Sequence, residues 1–175
     1  MSKFLNIKYQ NLEAYTPGEQ PQDMKYLKLN TNESPFPPSK GVADAINLEQ
    51  VNNLRLYSDP ECMNLRQAIA TLYRVGVENV YLSNGSDDIL NFAFMAFASK
   101  SVSFPEISYG FYKVFADLYG LSKKAIPLKD DFSIEPSAYY DQGDLIVIAN
   151  PNAPTGLALT LDDIEGILKA NAENV

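Results

Sequence analysis

Between Val80 and Ala170 short apolar runs alternate with helical stretches, and this alternation limits the chain more than any other feature. Residues 80–82 (VYL), 102–104 (VSF), 123–127 (KKAIP) and 144–149 (DLIVIA) read as strands. Residues 86–97, 110–119 and 161–170 read as helices between and after them. Strands alternating with helices imply βαβ units, so the expected fold class is α/β, a mainly parallel sheet with flanking helices. Ser86 is the expected N-cap of the first of these helices, with Asp87 and Asp88 in its first turn. That helix is apolar nearly all round and is expected to be buried on every side. Gly120 is placed to close the second. Thr160, with Asp163 three residues on, forms a capping box for the last.

The N-terminal part has a different texture. Residues 1–23 are polar and irregular, residues 26–30 (YLKLN) alternate like a short strand, and TNESPFPPS at 31–39 leaves no room for regular structure. A short helix is expected at 41–49. LRLYSDP at 54–60 is a loop ending in a turn signal. Residues 61–74 fit an amphipathic helix with Leu65, Ile69 and Leu72 on one face. Three segments follow: an arm with a Pro-rich loop (1–40), a helical segment (41–75) and a sheet-bearing segment (76–175). Glu173-Asn174-Val175 repeats Glu78-Asn79-Val80, which there leads into a strand. The 175 residues are therefore expected to be a portion of a longer protein.

Composition removes several functions. The chain has no histidine and a single cysteine, Cys62, which excludes Ser-His-Asp and Cys-His catalysis and His-based metal sites. No metal site is expected. A net charge of −8 argues against a nucleic-acid partner. No stretch approaches the roughly 18 apolar residues of a membrane span. The expected compartment is the cytoplasm.

Three loops at strand ends carry the chemistry. SNGSDD (83–88) joins a strand, a Gly turn and a helix start, where free N–H groups and the helix dipole favour an anion. The N–H groups of Ser86 and Asp87 and the Ser86 hydroxyl can hold a phosphate; a plain N-cap accounts for the same residues. Tyr109, in PEISYGFY (105–112), can lie flat against a planar ligand or pack beneath the next helix. NPNAPTG (150–156) is a stiff loop whose prolines aim Asn152 and allow a cis X-Pro bond; a rigid turn without a ligand fits as well. Neither GxxxxGK[ST] nor GxGxxG is present, which argues against a nucleotide-binding domain. Lys100 has no desolvating pocket to make it a Schiff-base lysine.

Six segments in this order, AYTPGEQP, LKLNTNESPFPPS, LRLYSDPECMNLRQAIA, YLSNGSDDILNFAFMAF, FPEISYGFY and NPNAPTG, resemble the fold-type I pyridoxal-phosphate aminotransferases. Within them they are most similar to the histidinol-phosphate branch, from about Tyr15 to the last residue. The resemblance implies that 41–75 lead from a small domain into a large domain, of which 76–175 are an incomplete part. It implies pyridoxal 5'-phosphate as cofactor, with Gly85, Ser86 and Asp87 at its phosphate and Tyr109 stacked on its ring. Tyr57 matches a tyrosine that reaches the cofactor phosphate of a neighbouring subunit, which implies a homodimer with a shared site. Tyr15 and Asn32 match positions near the substrate. The family places an Asn against the ring 3-hydroxyl just before Pro-Thr-Gly; here that position is Ala153, and Asn152 is the expected nearer polar side chain.

The resemblance also implies that the Schiff-base lysine, the Asp and Tyr at the pyridine ring and the substrate-binding Arg lie downstream. The chain alone is then expected to hold no catalytic residue and to be inactive. The implied reaction is transamination between L-histidinol phosphate and 2-oxoglutarate, giving glutamate, in histidine biosynthesis. An aromatic aminotransferase, a threonine-phosphate decarboxylase-like enzyme and a non-catalytic binding or assembly fragment stay open as alternatives.

Overall fold

The computed structural model describes residues 6–9, 12, 16, 18, 19, 23 and 27–173. The chain divides into two units, one of Met1–Tyr15 with Ser83–Val175 and the other of Thr16–Leu82.

In the larger unit three strands form a parallel sheet: β1 (Ser101–Pro105), β2 (Ser122–Ile126) and β3 (Leu145–Ile146), in the order β2-β1-β3. Phe104 lies opposite Ala125, and Val102 opposite Leu145. The helix before β1 spans Ser86–Phe97 and the one between β1 and β2 spans Phe111–Tyr119. The helix after β3 spans Leu161–Ala170. The α/β class and its mainly parallel sheet are thus as expected.

Side chains alternate across the sheet, and each face has its own cluster. Val102, Phe104 and Leu145 join Phe94, Tyr112, Phe115, Ala116 and Leu121 on one side. On the other, Ile126 and Ile146 pack against Ile134, Tyr139 and Ile167. Val102 and Phe104 are fully buried. β1 reads SVSFP, alternating serine with apolar residues, and Ser103 is buried along with Val102 and Phe104.

Asp144 fixes how β3 meets β1. Its carboxylate accepts the backbone N–H groups of Ser99 at 3.1 Å, Lys100 at 2.8 Å and Ser101 at 2.6 Å. Leu145 N–H adds a fourth at 2.9 Å. Burial works against the charge, but donation from Ser101, Ser99, Lys100 and Leu145 outweighs it and holds the carboxyl down to about 2. No signal in the sequence singles this residue out beyond an acidic residue directly ahead of an apolar run.

The smaller unit holds α1 (Lys40–Ala45), α2 (Leu48–Asn53) and α3 (Met63–Tyr73). In chain order the three helices of the larger unit are then α4, α5 and α6. Arg66 of α3 donates from Nε to the Val80 carbonyl and from Nη2 to that of Val77, both at 2.9 Å. This ties α3 to the 3-10 turn Val77–Asn79.

Several elements differ from expectation. Residues 80–82 form no strand, because the Val80 carbonyl is taken by a side chain rather than by a neighbouring strand. Residues 27–30 form none either, and Leu27 and Leu29 are each 85% exposed; Tyr26 lies outside the described residues. The single helix at 41–49 is two, since Asn47 Oδ1 accepts the Gln50 N–H at 3.1 Å and starts α2 afresh. The strand expected at 144–149 pairs only at Leu145–Ile146, with one further bond from Val147 N–H to the Ser103 carbonyl at 2.9 Å. The start of α4 is capped by Gly85, and Ser86 is its first helical residue. The same helix buries only Phe94, which packs in the cluster with β1 and α5, while Phe92, Met95 and Phe97 are exposed. The capping box of Thr160 and Asp163 and the closing Gly120, at φ +70°, are present as expected.

The Asp144 bonds give a pH-dependence of known sign. The folded carboxyl titrates below its unfolded value, so its stabilisation is complete above about pH 4 and is lost as pH falls through about 2. The contribution is roughly 2 kcal/mol. Chemical denaturation of the wild type between pH 5 and 2 should show that loss, and Asp144→Asn should lack this part of the slope while being less stable at pH 7.

Candidate active site

β1 and β3 run side by side and in parallel, so the loops leaving their carboxyl ends are neighbours. In open α/β sheets ligands bind at this edge. The first loop, 106–110, is held short. Glu106 N–H donates to the Ile126 carbonyl at 2.9 Å, and Ser108 Oγ donates to the Pro105 carbonyl at 2.6 Å. Tyr109 follows, half-buried, with its ring 5.5 Å from that of Phe111 and edge-on to Tyr112 at 5.8 Å.

The second loop is NPNAPTG. Both its Asn150-Pro151 and Ala153-Pro154 bonds are cis, where a cis bond was expected at one of its prolines. Asn150 Oδ1 accepts the Leu159 N–H at 2.7 Å, closing the base of the loop. Asn152 N–H donates to the Leu157 carbonyl at 2.8 Å, and Gly156 N–H returns to the Asn152 carbonyl at 2.7 Å. Gly156 sits at φ +74°, a conformation that other residues adopt only with strain.

Asn152 is 1% exposed. Its Nδ2 donates to the Ile107 carbonyl at 3.0 Å and to Thr155 Oγ1 at 3.2 Å. Its Oδ1 is buried and meets no donor. The neighbouring carbonyl of Ile107 fixes which end of the amide is which, because reversing it would set two acceptors face to face. Ala153, at the position where the family pattern has Asn, is half-buried.

The N-terminus of α4 completes the site. Gly85 lies at φ +81°, and the space where a Cβ would stand is open to 4 Å. Among the described residues no side chain caps the first turn, because its N-cap, Gly85, has none to offer. Ser86 is exposed. Asp87 and Asp88 stand in the first turn, where they complement the helix dipole. Asp87 Oδ1 accepts the Tyr109 hydroxyl at 2.8 Å, joining this helix to the first loop.

The structure therefore gathers Gly85, Ser86, Asp87, Tyr109 and Asn152 in one unit, linked by Asp87 to Tyr109 and by Asn152 to Ile107. Tyr57 and Asn32 belong to the other unit. Tyr57 is fully exposed, and Asn32 is exposed at φ +53°. Tyr15 lies outside the described residues. Sequence reasoning missed the Ile107 carbonyl as the partner of Asn152, since nothing in a side-chain pattern marks a backbone acceptor.

A profile of the family described as aminotransferase class I and II matches residues 24–175. The chain belongs to this family. It is 49% identical over 177 aligned residues to a histidinol-phosphate aminotransferase of Brachyspira hyodysenteriae, covering 100% of this chain and 50% of that one. A histidinol-phosphate aminotransferase of Marinomonas sp. is 51% identical, with 100% and 50% covered. The chain thus spans about half the length of the curated relatives it matches. Among solved structures, a provisionally assigned histidinol-phosphate aminotransferase from Erwinia carotovora atroseptica superposes with a TM-score of 0.73 at 26% identity. That alignment covers 83% of this chain and 44% of the other. Family membership accounts for the order of the loops: the turn before α4, the 106–110 loop and NPNAPTG all fall within the matched residues.

Gly85, like Gly156, is a position in the site where backbone alone decides tolerance. Gly85→Ala meets no clash, yet it forces a side chain into φ +81°, at a cost of about 1–3 kcal/mol. Thermal unfolding of this variant should fall by several degrees, and an unchanged midpoint would mean that the turn relaxes freely.

Proposed function

We propose that these residues form the phosphate cradle and ring face of a pyridoxal-phosphate-dependent aminotransferase acting on L-histidinol phosphate and 2-oxoglutarate, with glutamate as the second product. The observation that carries this reading is the uncapped α4 N-terminus, open above Gly85, with Tyr109 tied to the same first turn through Asp87. An uncapped helix start offers N–H donors and a positive dipole end to a phosphate. An aromatic ring held beside it offers a stacking face to a planar heterocycle.

The residues fit the cofactor at three points. The N–H groups of Ser86 and Asp87 and the Ser86 hydroxyl would hold the phosphate. The Tyr109 ring would lie against the pyridine face. Asp87, already accepting from Tyr109, would turn its charge away from the phosphate and hold the ring. Bound pyridoxal phosphate supplies the electron sink for proton transfer at the substrate α-carbon. Tyr15 and Asn32 are assigned to the substrate side, and Tyr57 to the cofactor phosphate across a homodimer. Full exposure of Tyr57 within one chain suits such a role. In this reading 1–40 form an arm and Pro-rich loop, 41–75 lead from the small domain, and 76–175 belong to the large domain.

The Schiff-base lysine is assigned to sequence beyond these residues, so the activity belongs to a longer chain in the cytoplasm. No helix among the described residues is long and apolar enough to cross a membrane. The similarity to histidinol-phosphate aminotransferases at 49% and 51% identity supports the substrate choice.

The full-length protein, supplied with pyridoxal phosphate, 2-oxoglutarate and a panel of amines, should turn over L-histidinol phosphate in preference to aromatic amino acids. No turnover of histidinol phosphate would overturn the substrate assignment. Borohydride treatment of the 175-residue chain with the cofactor should label its exposed lysines only weakly and unselectively, and one lysine labelled stoichiometrically at low cofactor concentration would overturn the assignment of the Schiff-base lysine elsewhere.

A further inference from the structure

The Tyr109 loop is held from two sides. Asp87 accepts the hydroxyl of Tyr109, and Asn152 donates to the carbonyl of Ile107, two residues earlier. The second anchor comes from 45 residues away in sequence, out of the neighbouring loop. Asn152 has no amide hydrogen left, because Nδ2 also donates to Thr155 Oγ1. Its remaining atom, Oδ1, is an acceptor buried without a donor. Such an atom is unfavourable, so what Asn152 contributes lies in its two Nδ2 bonds.

We propose that Asn152 is a positioning residue: it clamps the 106–110 loop to the 150–156 loop and so sets the Tyr109 ring before any cofactor arrives. This rests on the reading of Tyr109 as the stacking face, and it differs from the expectation that Asn152 turns toward the ring oxygen. Turning there requires leaving both Ile107 and Thr155. The clamp and a direct ring contact are therefore alternatives at one side chain, and the geometry points to the clamp.

The clamp is testable without cofactor. In the ligand-free full-length protein, Asn152→Ala should speed amide hydrogen exchange across 106–110 by about tenfold, the equivalent of losing roughly 1.4 kcal/mol of local stability. Unchanged exchange there would overturn the proposal. Asn152→Asp, of the same size, sets an acceptor against the Ile107 carbonyl and should give the same result if the alanine variant does not fold. The second arm is a double-mutant cycle read by pyridoxal phosphate affinity. Asn152→Ala should weaken binding by about tenfold in the wild type but by less than about twofold in Tyr109→Ala, because its effect passes through Tyr109. Equal losses in both backgrounds would mean that Asn152 touches the ring directly and would also overturn the clamp. If the wild type binds no pyridoxal phosphate, the cofactor reading fails, while the exchange measurement still decides the clamp.

Discussion

One buried carboxylate, Asp144, decides the register on which the site is built. It gathers the N–H groups of the turn ahead of β1 and places Leu145 opposite Val102. Side chains alternate on a strand, so a slip of one residue would exchange Leu145 and Ile146 between the two clusters. It would also shift everything that leaves the carboxyl end of β3. A short strand, paired along two residues, has little register information of its own. The charge-assisted bonds supply it, and they act from outside the ladder.

The same pair of strands is tied again at its other end. Asp144 binds where β1 and β3 begin, and Asn152 binds the Ile107 carbonyl beyond where they finish. Between these two points lie the fully buried Val102 and Phe104. Two loops leaving a pinned pair of parallel strands cannot drift independently. The hydroxyl of Tyr109 then meets Asp87, which brings the N-terminus of α4 into the same arrangement. The N-terminus of α4 and an aromatic face are joined by three side chains drawn from three segments, and none of them is adjacent in sequence to another.

How much of this can be read from the chain follows from what each element depends on. β1 and α5 are legible because burial on two faces or one writes a hydrophobic pattern, and Gly120 ends α5 by local geometry. Thr160 and Asp163 are legible because a capping box is complete within four residues. Residues 80–82 are as β-prone as a strand, yet the Val80 carbonyl is taken by Arg66, a partner that periodicity cannot reveal. The exposed face of α4 misleads in the opposite way: Phe92, Met95 and Phe97 look like core, yet of this helix only Phe94 is buried. In the site, Gly85 and Gly156 announce themselves by residue type, and both take positive φ. Asp144 and the Ile107 carbonyl do not, since each works through backbone atoms distant in sequence.

The presence of Ala at position 153 acquires a physical meaning from this arrangement. A loop that carries polar amides at both 152 and 153 can use one for the protein and one for a ligand. Here a single amide is present, it is buried, and both of its hydrogens are directed at protein acceptors. Turned toward another partner, it would release the loop that carries Tyr109 to gain one hydrogen bond. A net gain of about 0.5–1.5 kcal/mol from that bond is offset by the loss of two existing ones of similar size. On energetic grounds the loop keeps its shape, so NPNAPTG braces the 106–110 loop.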